Sequence, residues 1–188
     1  MEILLSGDEW SWDFATTCLH YTTDGQLVPV YFRDAARFPG DEPYAPFGYG
    51  MVTGISSDGK ITLTGSQDVL GTWMAECVFE LKDGAFHLEE NAVWRRMDSM
   101  DDPDVWEYTA LTLKRELPVT LEDGSEGSIK SGERILITAT DRESYAAFVS
   151  ENGAKGSFPI QRELEYGYGY EINGLFEDEW FEYIPYAD

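Results

Sequence analysis

The chain carries few of the residue types that enzymes use for nucleophilic or acid–base chemistry. Its 188 residues include two histidines, His20 and His87, and two cysteines, Cys18 and Cys77. A histidine that acts as a general base needs a partner that orients it, and no such pairing is evident. Serine-hydrolase, phosphate-loop, dinucleotide and zinc-protease motifs are also absent. We therefore expect no enzyme activity, no catalytic residue and no cofactor.

Both cysteines lie in apolar, strand-like stretches, residues 14–21 and 73–81. The usual C-x-x-C spacing of a metal or redox site is missing. Burial as small apolar side chains is therefore the favoured interpretation. A single disulfide between them is the alternative if the chain is exported.

Acidic clusters are the second group of residues with possible chemistry. Residues 98–104 contain Asp98, Asp101, Asp102 and Asp104, and carboxylate oxygens are the ligands that calcium prefers. The order of a calcium-binding EF-hand loop is missing, so we expect a solvated acidic surface and assign no metal ligand. A calcium-stabilised structural module is the alternative function. A glycoside hydrolase that uses paired carboxylates is a weaker one.

Aromatic residues are the third group, and they point to recognition. Six tryptophans, eleven tyrosines and ten phenylalanines are more than a small core needs, and many flank turns. Aromatic rings beside acidic residues and glycine suit stacking on sugars or contact with peptides. Packing within the core is the alternative. The predicted ligand-binding residues are Trp10, Trp12, Phe38, Tyr44, Phe47 and Tyr49.

The charge balance limits the partners. Thirty-six acidic residues against thirteen basic ones give a net charge of −23. Such a field repels nucleic acid and anionic lipid and attracts cations or a basic protein. No apolar stretch approaches the ~20 residues that cross a bilayer, so we expect no membrane insertion. We expect a monomer whose ligand is a glycan, a cell-wall peptide or a protein.

Six Asx-Gly pairs indicate the elements that position these residues. Asp or Asn before glycine tolerates the positive φ angles of tight hairpin turns, and each pair separates short stretches rich in β-forming residues. The sequence therefore predicts an all-β protein, antiparallel throughout. Residues 34–50, with three prolines, predict a long aromatic loop, and residues 105–113 predict a strand after a charged connector. The pairs are Asp24-Gly25, Asp58-Gly59, Asp83-Gly84, Asp123-Gly124, Asn152-Gly153 and Asn173-Gly174.

The change in strand spacing near residue 114 predicts two domains. Residues 1–113 are expected to form an antiparallel β-meander domain. Residues 114–188 are expected to form a small barrel, closed by aromatic residues of the last segment. One helical turn is predicted within residues 176–183.

The second half resembles a bacterial SH3-like segment. The resemblance rests on residues 127–141, Tyr145, Phe148-Val149, Asn152-Gly153 and residues 155–158. The terminal stretch, residues 172–188, resembles the end of uncharacterised exported or lipid-anchored proteins of Gram-positive bacteria. The first half is similar to the domain that precedes it in that group, which in part resembles an FG-GAP or integrin-like repeat.

This resemblance implies a non-catalytic, extracytoplasmic binding or adaptor module, at the cell surface or outside the cell. The group offers no catalytic residues to transfer, and the calcium loop of FG-GAP repeats is not seen here. Residues 1–5 have no basic start and little apolar length, unlike a signal peptide. We therefore expect the natural chain to extend upstream of Met1.

Overall fold

The structure is a computed structural model that describes residues 2–9, 13–33, 44–45, 47–89, 92–163 and 169–187. Most of these residues lie in β-strands, and they include one short α-helix. The prediction of an all-β protein is therefore confirmed. The chain forms two compact units: residues 1–66 with 76–92, and residues 67–75 with 93–188. The domain boundary predicted near residue 113 stays a prediction, because compact units need not fold independently.

In the first unit, strands connect mainly through hairpins. Its central order is β1–β2–β3–β9–β8, β5 pairs with β2, β4 with β3, and β6 with β7. Strands β3 and β9 run parallel, with Phe32 opposite Phe86, so the purely antiparallel prediction is wrong here. The long connection between these two strands allows the parallel arrangement. The strands are β1 (Glu2–Glu9), β2 (Asp13–Tyr21), β3 (Leu27–Arg33), β4 (Tyr44–Ala45), β5 (Phe47–Tyr49), β6 (Met51–Ile55), β7 (Lys60–Asp68), β8 (Thr72–Lys82) and β9 (Ala85–Leu88).

All six Asx-Gly pairs lie between consecutive antiparallel strands, as predicted. At Asp83-Gly84 and Asn173-Gly174 both residues have positive φ, which is the geometry of a type I′ turn. At the other four pairs only the glycine has positive φ. Glycine supplies this conformation without steric cost, so the hairpin signal holds for both turn geometries.

The core of the first unit is aromatic. The ring of Phe32 stacks on Phe86 at 5.0 Å and meets Phe79 edge-on at 5.9 Å. Cys18 and Cys77 are both buried and no disulfide joins them, which confirms the predicted burial. Burial, with Glu2 nearby, raises the pKa of the Cys18 thiol to about 11, so this thiol stays protonated at neutral pH.

The second unit is built on the sheet β11–β14–β15–β16–β12–β13. Its strands and helices are β10 (Trp94–Arg96), α1 (Pro103–Thr109), β11 (Leu111–Thr112), β12 (Leu117–Leu121), β13 (Glu126–Ile129), β14 (Arg134–Thr140), β15 (Tyr145–Ser150), β16 (Lys155–Pro159), β17 (Gln161–Arg162), β18 (Tyr170–Ile172), β19 (Leu175–Phe176) and the 3₁₀ turn Glu177–Glu179.

The predicted barrel does not close in the described strands of this unit. Strand β13 pairs with β12 and ends at Ile129. The chain then turns at Gly132, whose amide donates to the carbonyl of Leu113. Strand β13 is therefore short, and the sheet stays open at this strand.

The C-terminal segment, residues 177–187, packs against the start of this sheet. The amide of Lys114 donates to the carbonyl of Trp180 at 2.7 Å, and the amide of Glu182 donates to that of Thr112 at 3.0 Å. Trp180 and Phe181 are buried, whereas Tyr183 is exposed. The segment therefore buries two of its aromatic residues and leaves Tyr183 exposed, and its predicted role in closing a barrel is not confirmed in the described strands. The predicted helical turn is the 3₁₀ turn Glu177–Glu179.

Replacing Phe181 tests the contribution of this segment to stability. Phe181→Ala is expected to lower the free energy of unfolding by about 3–5 kcal/mol, because it leaves a cavity in the core. Tyr183→Ala, two residues away and exposed, is the matched control and should change it by less than about 0.5 kcal/mol. Denaturant unfolding monitored by tryptophan fluorescence measures both. Equal effects of the two substitutions would contradict the packing described here.

Candidate functional site

Helix α1 presents a tryptophan at the surface of the second unit. The side chain of Asp102 caps the helix by accepting from the amide of Asp104 at 3.0 Å, and Pro103 begins it. Proline suits this position because its fixed φ is helical and it has no amide hydrogen to satisfy. The indole Nε1 of Trp106 donates to the carbonyl of Met100 at 2.8 Å. The half-buried Trp106 ring is therefore held in one orientation.

Arg134, the first residue of β14, supports the same tryptophan from the sheet. Its guanidinium donates to the carbonyl of Trp106 and lies 5.8 Å from the centre of the Trp106 ring. Arg134 therefore makes both a cation–π contact and a hydrogen bond with the same residue, Trp106. Trp106 is thus attached at its indole nitrogen, its ring and its carbonyl.

A second arginine, Arg96, joins the base of α1 to the sheet. Its side chain is 2% exposed and forms an ion pair with Asp98 at 3.1 Å. Its guanidinium also donates to the carbonyl of Ile137 at 2.6 Å and to the hydroxyl of Thr109 at 3.2 Å. Burial lowers the pKa of Arg96 to about 10, and Asp98 opposes that shift, so Arg96 is charged at neutral pH.

The Ile137 carbonyl lies at an irregular point of the sheet. The register of β14 against β15 shifts between Ile137 and Ala139, as in a β-bulge, which locally disrupts the ladder of hydrogen bonds. On its other side, the Arg96 guanidinium lies 5.0 Å from the centre of the Trp73 ring. Arg96 therefore joins Trp73, β14 and α1 within the second unit.

Beside α1 lies a groove, here called the α1 groove. It consists of two adjoining cavities of about 790 and 540 Å³ that share Met100, Asp101, Trp106 and Arg134. A third cavity, of about 440 Å³, adjoins the second at Met100 and Lys155. Tyr183 and Glu182 of the C-terminal segment line the first cavity. The groove is open to solvent and is lined from both sheet and helix, which suits a peptide ligand.

Acidic side chains outnumber basic ones along the α1 groove. The two basic residues that line it are Arg134 and Lys155, and Arg134 already contacts Trp106. Its apolar surface comes mainly from Met100, Trp106 and Tyr183. The groove therefore combines apolar anchor points with negative charge. The acidic residues that line it are Asp101, Glu107, Glu151 and Glu182.

The predicted ligand-binding residues lie elsewhere in the chain. Trp10, Trp12 and Phe38 lie outside the described residues. Tyr44 lies in β4, and Phe47 and Tyr49 lie in β5. These are short strands and not the predicted loop, and they pair with β3 and β2. The description covers only the backbone at these three positions, so their role in binding stays a prediction.

Sequence reasoning missed the α1 groove because residues 105–113 read as a strand. The signal that could have identified the helix is Asp102-Pro103, a capping residue followed by proline at the first helical position. The acidic cluster at residues 98–104, considered above for calcium, has structural roles in part, since Asp98 pairs with Arg96 and Asp102 caps α1. No group of three or more potential metal ligands occurs among the described residues.

A buried carboxylate lies at the start of the C-terminal segment. Glu177 is 3% exposed and accepts from the hydroxyl of Tyr186 at 2.9 Å and from the amide of Tyr170 at 2.9 Å. Burial raises the pKa of Glu177 to about 7, although these two hydrogen bonds act in the opposite direction. A carboxyl group in this position gains or loses its proton near neutral pH.

The end of the C-terminal segment packs against the turn at Gly71. Its φ of +104° is one that glycine adopts readily, and an added Cβ would lie 3.2 Å from the ring of Pro185. The amide of Thr72 donates to the carbonyl of Pro185 at 3.0 Å. The segment is thus fixed at both ends, by Glu177 and by this turn.

Comparisons with known proteins identified no relative. The chain matched no protein-family model, no curated protein and no solved structure. In the part of the chain that the structure describes, no helix combines the length and apolar character needed to cross a membrane.

Glu177 predicts a specific pH dependence of stability. Because the pKa of Glu177 is raised in the folded state, its stabilising contribution to the free energy of unfolding is fully present below about pH 4.5. This contribution is lost as the pH rises through about 7. Glu177→Gln has no carboxyl group at this position, so its free energy of unfolding should not fall for this reason as the pH rises. Between about pH 5 and about pH 8 the variant should therefore become more stable than wild type, by up to about 3 kcal/mol.

Denaturant unfolding across this pH range measures the effect. Glu179→Gln, in the same 3₁₀ turn but exposed, is the matched control and should follow the wild-type profile. Parallel profiles for wild type and Glu177→Gln would show that Glu177 does not titrate in this range.

Proposed function

We propose that the protein is a non-catalytic binding module whose α1 groove takes a basic segment of another polypeptide. The observation that carries the proposal is that Met100, Trp106 and Tyr183 line one open groove together with four carboxylates. Binding energy at such surfaces is concentrated in a few aromatic anchors surrounded by a polar rim. Trp106 is the anchor in this proposal.

The fixed position of Trp106 favours binding over simple exposure of an apolar residue. A side chain that is ordered before the ligand arrives costs less conformational entropy on binding. Trp106 is ordered by the Met100 carbonyl and by Arg134. The anchor is therefore preorganised in the free protein.

Charge selects the class of partner. The groove is acidic, and the whole chain carries a net charge of −23. A field of this sign accelerates association with a basic partner and discriminates against acidic ones. A lysine- or arginine-containing peptide segment meets both the apolar and the electrostatic requirement. A neutral glycan meets only the first.

Two further parts of the sequence-based interpretation remain predictions. The SH3-like relationship of residues 114–188 agrees with the presence of several short antiparallel strands, although the described sheet is open. The extracytoplasmic location follows only from the resemblance to exported proteins. Neither is required by the binding proposal.

Selection of peptides from a random displayed library on the full-length protein tests the proposal. Enriched peptides should combine lysine or arginine with an aromatic or large aliphatic residue. Their affinity should fall as the salt concentration rises from about 0.05 M to about 0.5 M. Trp106→Ala should weaken binding about tenfold or more, whereas Tyr108→Ala, exposed on the same helix, should leave it unchanged.

A charge reversal separates lost binding from lost folding. Glu107→Lys changes an exposed residue of the groove and should weaken the selected peptides without affecting the free energy of unfolding. Glu126→Lys, exposed on β13 and not lining the groove, is its control. Enrichment of peptides without basic residues, or binding that survives Trp106→Ala and Glu107→Lys, would refute the proposal.

A further inference from the structure

Part of one face of the sheet β1–β2–β3 in the first unit, away from the charged residues at the strand ends, is apolar. Alternate residues of a strand share a face, and the register places Ile3 opposite Leu19, Leu19 opposite Pro29, and Tyr21 opposite Leu27. This face is called the outer face. Its apolar residues are Ile3, Leu5, Leu19, Tyr21, Leu27, Pro29 and Tyr31.

The outer face is accessible. Leu5 is 56% exposed, and Tyr21, Leu27 and Tyr31 are exposed as well. The opposite face of the same strands carries buried Cys18, Val30 and Phe32 and belongs to the core. In a chain in which 26% of the residues are charged, these seven apolar positions form a patch without a charge.

Strand β1 adds a second property, because it lies at the end of the sheet. Among the described strands it pairs with β2 alone. Natural edge strands are usually protected by proline, by a bulge or by charged residues within the strand. Residues 3–7, Ile-Leu-Leu-Ser-Gly, contain no proline and no charge, and their pairing with β2 continues without a bulge. The middle of β1 therefore lacks these protecting features beside the apolar face, and Ser6 within it accepts a hydrogen bond from the amide of Val52 in β6 at 3.3 Å.

We infer that this edge takes an extended segment of a partner protein by strand addition, and that the segment has apolar residues at alternate positions and basic residues at its ends. Added strands gain affinity from backbone hydrogen bonds and specificity from alternate side chains. The apolar side chains would extend the outer face by one strand. This site lies in the first unit and is independent of the α1 groove.

Charge argues against a second copy of the chain as the occupant. Strand β1 begins with Glu2 and ends with Asp8 and Glu9. An antiparallel pairing of two β1 strands centred on Leu5 places Glu2 of one copy opposite Asp8 of the other, and an in-register parallel pairing places like residues opposite each other. Like charges in these positions are destabilising. A strand with lysine or arginine at its ends is attracted instead.

The size of the outer face agrees with a strand as the occupant. Three strands span about 10 Å, and five residues of a strand span about 17 Å. The face is therefore on the order of 200 Å² in plan, far less than the ~800 Å² per partner of a stable protein–protein interface. Face-to-face packing alone would be weak, so the backbone hydrogen bonds of an added strand have to supply part of the affinity.

Two synthetic peptides of the same composition test this inference on the full-length protein. One has valine and threonine in strict alternation with lysine at both ends, and the other has the same residues in an order without alternation. The alternating peptide should bind more tightly and should slow hydrogen exchange of amides in residues 3–7. Leu5→Lys should weaken it about tenfold or more, because a charge within the edge opposes pairing.

Ile55→Lys is the matched control, since Ile55 is a 68% exposed strand residue of the same unit away from the outer face. It should not change the affinity. Equal binding of the two peptides, no binding of either, or self-association of the free protein that Leu5→Lys abolishes would each overturn the inference. The last outcome would identify a second copy as the occupant.

Discussion

The organisation of the second unit depends on one buried charge, the guanidinium of Arg96. Placing an ion in the interior costs several kcal/mol unless it is paired and hydrogen-bonded. Arg96 meets this condition through Asp98, the carbonyl of Ile137, the hydroxyl of Thr109 and the ring of Trp73. These partners belong to separate parts of the second unit. The hydrogen bonds and contacts of the Arg96 guanidinium therefore also fix the relative positions of those parts.

The α1 groove is a consequence of this arrangement. Helix α1 has seven residues, none of them buried, and a helix this short is not stable by itself. Arg96 holds its last residue, Arg134 holds its middle and Asp102 caps its start. The C-terminal segment then adds Glu182 and Tyr183 to the other side of the groove. Helix α1 and the C-terminal segment thereby form a preorganised surface.

The sequence predicted the parts of the fold that depend on local backbone preferences. Glycine after Asp or Asn favours a tight turn between strands, so all six hairpins were located correctly. The parallel pairing of β3 with β9 could not be predicted in this way. It depends on contacts between residues more than fifty positions apart.

The α1 groove was missed for a related reason. Residues 105–113 have the alternation of a strand, and hydrogen bonds from the side chains of Arg96 and Arg134, which lie outside this stretch, stabilise the helix instead. The net charge of the chain did indicate that the groove would carry negative charge, because an excess of carboxylates makes most surfaces acidic. Which aromatic residues become anchors was not predictable from the sequence. In one short segment Trp180 and Phe181 are buried, whereas Tyr183 is exposed.

The most direct test of this account is the position of Trp106 when Arg96 is replaced by lysine. Lysine keeps the charge but cannot donate in three directions from a planar group. In fluorine NMR of fluorotryptophan-labelled protein, the Trp106 resonance of Arg96→Lys should broaden or move towards its position in the unfolded chain. Arg95→Lys, a change at the exposed neighbour, should leave that resonance in place. An unchanged Trp106 resonance in Arg96→Lys would contradict the account.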